Sequence, residues 1–311
     1  MKLYSCTVKL ISLMREYFGI KYAYARSHLK KQKLDRLYNS HQLNLQTPPI
    51  PKPSLNDNQT PTNDIGEYIS DYLSLQNSVY PYIERTAHLD SSSVTLDFGC
   101  GFGTLAASFQ LSQTDNGNYF GYDTNQRAIN FCQSAYQDDP HFVFFGPEID
   151  KTTNYVTNKR LTTANQAFKN RQKASPSRSD IERLLGDQKL TCQFSLSVFT
   201  HMWPEDAIES LKVFGDFSTG DTVFINSWLI LDEFAMNSVS AGTADRKLPI
   251  EVGGVYTYSQ LNPLVCTAYP SDLLSKVYLD AGHEITNIDF GTWSGRSNGI
   301  TYQDIVVSKL V

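Results

Sequence analysis

The strongest constraint in this chain is a strand that runs straight into glycines. Val94-Thr95-Leu96-Asp97-Phe98 is followed by Gly99-Cys100-Gly101-Phe102-Gly103-Thr104. The first stretch reads as a short strand and residues 104–113 as a helix, so the glycines sit at a strand–turn–helix junction. Glycine has no Cβ and lets backbone approach a ligand closely. In a doubly wound sheet such a junction faces the crevice where nucleotides bind. Spacing then separates the nucleotides. A dinucleotide fingerprint reads GxGxxG and seats a pyrophosphate on the helix N-terminus. Here the glycines fall at Gly99, Gly101 and Gly103, and the sixth position is Thr104. Asp97 places negative charge where a phosphate is repelled and an ammonium is welcome. No Walker lysine follows, which disfavours ATP hydrolysis.

The rest of the chain supplies a matching frame. Residues 119–122 read as a second strand ending at Asp123, where an acid can accept hydrogen bonds from both ribose hydroxyls. A helix over 125–136 and a third strand over 141–145 complete a βαβαβ alternation, the mark of a parallel sheet. Residues 151–190 break that rhythm; they are polar, hold nine Lys/Arg and read as a surface insertion. Strand character returns at 194–199 and 222–231, with a helix over 204–217 between them. Residues 232–268 read as irregular. A helix over 271–280 ends at Gly282, a good C-cap. Residues 284–290 and 302–307 pair as a closing hairpin.

Charge divides the 311 residues unevenly. Nine Lys/Arg against Glu16 and Asp35 give residues 1–40 a net +7, while the whole chain carries −5. Val8, Ile11, Met14 and Phe18 recur at helical spacing there. The expected organisation is a basic helical arm over 1–41, a linker over 42–63 with Pro48, Pro49, Pro51, Pro53 and Pro61, and a catalytic domain over 64–311. Lys9, Arg15 and Glu16 argue against a signal peptide. The five cysteines are scattered without a CxxC pair, so neither a disulfide framework nor a metal site is expected, and a reducing, cytoplasmic compartment fits. The basic arm suits peripheral contact with an anionic membrane face, a partner, or a solvated role.

Leu-Asp97-Phe-Gly99-Cys100-Gly101-Phe-Gly103 with Gly-Tyr-Asp123 resembles the cofactor site of class I S-adenosylmethionine-dependent methyltransferases. Phe194-Ser-Leu-Ser-Val-Phe-Thr-His201-Met resembles the family's fourth strand and following loop. Gly-Thr-Trp293-Ser-Gly-Arg296 with Tyr-Gln-Asp-Ile-Val-Val is similar to a bacterial subset associated with sugar and cell-surface modification. The resemblance covers residues 64–311. It implies a Rossmann-like α/β fold: a seven-stranded, mostly parallel sheet with a C-terminal antiparallel strand and helices on both faces. It implies S-adenosylmethionine as cofactor. Asp97, Gly99, Cys100, Gly101 and Gly103 would face its methionine part, Asp123 its ribose, and Thr124 or Asn125 its adenine. Glu148 or Asp150 would meet the adenine amine, and Tyr68 would belong to a helix that lids the site.

Methyl transfer from a sulfonium is a direct displacement, and a hydroxyl nucleophile gains from a general base. His201 is the candidate, just past the fourth strand. The reading is therefore methyl transfer to a small-molecule or glycan hydroxyl. The alternatives are N-methylation of a small amine and a non-catalytic S-adenosylmethionine-binding protein. Tyr68, Tyr72, Trp203, Trp228 and Trp293 could line an acceptor pocket, with core packing as their competing role. Arg296 could bind an anionic acceptor or sit solvated in a turn. The Asn/Asp-Pro-Pro-aromatic motif of base-amine methylation is replaced by Ser197-Val-Phe-Thr200, and residues beyond the arm are acidic, which together disfavour nucleic acid.

Overall fold

A computed structural model describes residues 78–111, 117–147, 175–260 and 262–311. The chain divides into two units at Ser74 and Leu75, and the described residues belong to the second. The basic arm, the linker, Tyr68, Tyr72, Glu148 and Asp150 lie outside them.

The elements are α1 (Tyr80–Ala87), β1 (Val94–Phe98), α2 (Thr104–Leu111), β2 (Asn118–Tyr122), α3 (Gln126–Ala135) and β3 (Phe142–Phe145). Then come α4 (Arg178–Leu185), β4 (Leu190–Ser195), α5 (Pro204–Asp216), β5 (Ser218–Trp228), β6 (Ile230–Leu231) and α6 (Glu233–Ala241). The chain continues with β7 (Ile250–Val252), β8 (Val255–Thr257), β9 (Thr267–Pro270), α7 (Ser271–Asp280), β10 (His283–Asp289) and β11 (Asp304–Leu310). The main sheet has seven strands in the order β10-β11-β5-β4-β1-β2-β3. β1 through β5 pair in parallel, and β11 runs antiparallel to both its neighbours. This is the seven-stranded, mostly parallel α/β sheet expected from the sequence.

Alternation along the strands explains why both faces are covered. On β1, Leu96 and Phe98 join one core with Ile181 and Leu184 of α4, Leu211 and Phe214 of α5, and Val277 of α7. The other face carries Tyr82 and Ile83 of α1, Leu105 and Phe109 of α2, and Ile129 of α3. Full burial of each such side chain contributes about 1.5–3 kcal/mol, which fixes the register and hence the rim where β1, β2 and β4 end. Among the described residues no helix is long and apolar enough to cross a membrane.

Two expectations change. Residues 178–185, read as part of a surface insertion, form α4, with Ile181, Leu184 and Leu185 buried. Ser177 and Asp180 close a capping box on it, and Leu190 already opens β4. The charges at 178, 180, 182 and 183 hide a narrow apolar stripe. Residues 232–268, read as irregular, hold α6, β7 and β8 and begin β9; these three strands and β6, just before them, form a second sheet of order β6-β9-β8-β7. Its strands span two to four residues, too short for a period to show.

Candidate functional site

The turn after β1 is left-handed throughout its glycines, with φ of +85° at Gly99, +52° at Gly101 and +75° at Gly103. An L side chain is strained in that region. The amides of Gly99 and Cys100 both donate to the Tyr122 carbonyl, at 2.7 and 3.1 Å. The Gly101 amide donates to Asp123 Oδ2 at 2.8 Å. The turn is therefore tied to the end of β2 by its own backbone, and its position is set before any ligand arrives.

Asp123 is buried, and its other oxygen accepts the Asn125 amide at 2.7 Å. A carboxylate offers about four lone-pair positions, so it can hold several donors at once. Asn125 Oδ1 caps α3 by accepting from Arg127 and Ala128. Its side-chain oxygen thus already has a structural task, while Thr124 beside it is partly exposed. The Cys100 thiol is buried and turned toward the Gly101 carbonyl at 3.7 Å. Burial, the neighbouring Cys132 thiol and the charges of Asp123 and Asp97 hold it protonated.

Asp97 is the unusual acid. It is 4% exposed, and the Tyr119 hydroxyl donates a short hydrogen bond to its Oδ2. Burial raises its pKa to about 7, the Asp123 charge adds to the rise, and the Tyr119 bond opposes it. The group resists carrying charge until a cation comes close.

The second turn follows β4. The strand runs Leu190–Ser195, four residues earlier than the sequence reading, because Ser197 takes a φ of +57° and ends it. Phe199–His201 then form a single 3-10 turn. A Cβ placed on Gly99 would sit 2.2 Å from Val198 Cγ2, so the two turns touch and the first needs glycine there. The His201 ring donates from Nδ1 to the Leu264 carbonyl at 2.8 Å, if that nitrogen carries the proton, as the carbonyl acceptor requires. This leaves Nε2 as the basic nitrogen. Burial lowers the His201 pKa, partly offset by the Leu264 bond, so the ring is neutral near pH 7.

Trp203, Trp228 and Trp293 are each at most 1% exposed, which is the core-packing role of the two that the sequence allowed. Trp228 stacks on Phe199 at 4.5 Å and donates to the Tyr278 hydroxyl. The Trp293 indole donates to Asp304 Oδ2 at 2.7 Å. Arg296 is likewise engaged: its guanidinium lies between Phe234 and Phe290, 4.3 and 4.1 Å from the ring centroids, and pairs with Asp232 at 2.5 Å. Sequence reasoning missed Val198, Leu264, Ser227 and Gln303. None carries a residue-type signal, since their roles arise from pairing between distant segments.

No family model matches the chain. Solved structures with a similar fold include magnesium protoporphyrin IX methyltransferase (ChlM) from Synechocystis PCC 6803 with bound SAH. It is 14% identical, with 80% of this chain and 89% of that chain covered and a TM-score of 0.47. Another is a S-adenosylmethionine-dependent methyltransferase from Clostridium acetobutylicum, 11% identical, covering 77% of this chain and 92% of that one, TM-score 0.44. DesVI of Streptomyces venezuelae is 13% identical, covering 78% and 92%, TM-score 0.46. The strand order described above is what establishes the fold.

Proposed function

We propose that the chain is an S-adenosylmethionine-dependent methyltransferase acting on a hydroxyl of a small molecule or glycan. The observation that carries this reading is the pair of buried carboxylates at one glycine turn: Asp123 bonded to the Gly101 amide, and Asp97 held near neutrality beside it. A pyrophosphate finds no cation in this pair and would drive Asp97 further from ionising. A cationic amino acid joined to a ribose suits both, because it brings an ammonium and a diol. Gly101, whose amide Asp123 holds, puts no side chain between such a group and the backbone. When bound, S-adenosylmethionine supplies an electrophilic methyl group.

The chain's own part is positioning and proton removal. Asp123 fixes the turn, Asp97 favours the cation, and His201 Nε2 accepts a hydroxyl proton while Nδ1 stays on Leu264. A neutral base near pH 7 is what that step needs. The same geometry serves N-methylation with less dependence on His201, and it serves a binding protein without any. Calorimetry with S-adenosylmethionine on the wild type and Asp123→Ala tests the premise. We expect binding by the wild type, weakened about 100-fold or more in the variant; no heat from the wild type refutes the reading. Methyl release on candidate glycans then tests the enzyme, and His201→Ala tests the base, with an expected loss of ~100-fold or more in turnover.

The +7 arm supports a further part of this reading, peripheral contact with an anionic membrane at the cytoplasmic face. Co-sedimentation of the full chain with phosphatidylserine vesicles should exceed that with neutral ones. Equal binding by a variant with its Lys/Arg changed to Gln would refute it.

A further inference from the structure

We infer that Ser227 and Gln303 are positioning residues: they brace the left-handed Ser197 turn, which holds Val198 on Gly99 and His201 on Leu264. The inference rests on the methyl-transfer reading for its use and adds residues that the reading does not contain.

Ser197 and His88 are the two non-glycine residues with positive φ among those described. His88 is the C-cap of α1, where a left-handed residue is ordinary. Ser197 caps no helix; it stands two residues beyond β4, with its side chain exposed. Its backbone needs a reason to stay there. The Ser197 amide donates to Ser227 Oγ at 2.7 Å. The Ser227 hydroxyl donates to Gln303 Oε1, also at 2.7 Å. A hydroxyl has one proton. With that proton committed to Gln303, the oxygen presents lone pairs to Ser197. Remove Gln303 and the hydroxyl is released to rotate its proton toward the very amide it should accept from.

The brace spans three strands at one rim. Ser227 is buried next to the last residue of β5, opposite Ile305 of β11. Gln303 precedes β11, and its neighbour Asp304 is pinned by three donors: the amides of Ile230 and Gly291 and the Trp293 indole, each at 2.7 Å. The anchor is therefore rigid. From the turn, contact runs two ways. Val198 Cγ2 packs where a Gly99 Cβ would be. The Val198 carbonyl accepts the His201 amide at 2.9 Å, and the His201 ring reaches Leu264. One backbone conformation thus sets the cofactor turn on one side and the imidazole on the other.

The test uses the full chain with Ser227→Ala, Gln303→Leu and the double variant Ser197→Gly/Ser227→Ala. Two readouts are taken: S-adenosylmethionine affinity by calorimetry, and the His201 Cε1–H resonance by NMR. Ser227→Ala should weaken affinity roughly tenfold, the scale of one residue's left-handed strain, and shift and broaden the His201 signal. Gln303→Leu should do the same more weakly. The double variant should recover both readouts to within about twofold, because glycine holds φ near +57° unaided. A double variant as impaired as Ser227→Ala overturns the inference, since the defect would then be lost packing. So does a Ser227→Ala protein with wild-type affinity and resonance. If the wild type binds no S-adenosylmethionine, the methyl-transfer reading fails, and the His201 resonance across the same variants still decides the brace.

Discussion

Two turns leave neighbouring parallel strands at the same rim, and both pass through left-handed backbone by different means. The turn after β1 uses three glycines, for which that conformation is nearly strain-free. The turn after β4 uses Ser197, for which it costs about 1–2 kcal/mol. A hydrogen bond to Ser227 returns about 1 kcal/mol of that. The first turn is thus specified by its own residues, and the bare Cα of Gly99 lets Val198 of the second turn pack on it. The second is specified from outside, by Ser227 at a separation of 30 residues and Gln303 a further 76 along. Where a neighbouring turn must pack against backbone, glycine suits; where a side chain must be aimed, a braced residue suits, because every residue after it inherits a fixed direction.

The sharpest way to break this comparison is Gly99→Ala. The added Cβ would lie 2.2 Å from Val198 Cγ2, on a backbone with φ of +85°. Overpacking costs typically 1–3 kcal/mol and the left-handed residue about 1–2 more. We expect destabilisation of about 3–4 kcal/mol in urea melts and loss of measurable S-adenosylmethionine binding. Adding Val198→Ala should relieve the overpacking and recover about half of the stability, leaving the backbone cost. A Gly99→Ala protein that melts like the wild type would mean that the two turns do not touch.

The same contrast explains what the sequence made legible. Gly99, Gly101, Gly103 and Asp123 announce themselves, because a left-handed turn built from glycine leaves a spacing and a strand-end acid leaves a position. The parallel sheet was legible from β1 to β3 for a similar reason: its strands are rich in aromatic and β-branched residues, and a helix follows each of the first two at once. α4 was not, since three buried residues among five polar ones look like surface. The second sheet was not, since its strands of two to four residues hold at most two repeats of the two-residue period and sit among glycines and polar residues. Ser197 gave no sign of its φ, as serine is not a residue that favours the left-handed region. Its stability depends on pairing between β4, β5 and β11, and pairing partners are not written locally. The three tryptophans show the reverse: of the two roles their size allowed, lining and core packing, burial of each leaves core packing.

Each turn also carries one titratable group displaced by burial, and the two displacements are opposite in direction. Asp97, at the head of the glycine turn, is raised to about 7, so the folded state keeps a proton that the unfolded state has released. Its effect on stability is therefore unfavourable, growing as pH rises from about 4 to about 7 and constant above. His201, at the tail of the serine turn, is lowered, so the folded state refuses a proton that the unfolded state accepts below pH 6.5. Its contribution is lost as pH falls through that value. Asp97→Asn should consequently melt higher than the wild type at pH 8 and match it near pH 4, and this is the larger of the two effects. His201→Asn should narrow the loss of stability below pH 6.5, with a smaller change. Ligand binding turns the first of these around. An ammonium favours ionised Asp97, so S-adenosylmethionine affinity should rise about tenfold between pH 6 and pH 8, and in Asp97→Asn it should be weaker and flat. Calorimetry across that range checks it, and an unchanged pH dependence in Asp97→Asn would place the cation elsewhere than the glycine turn.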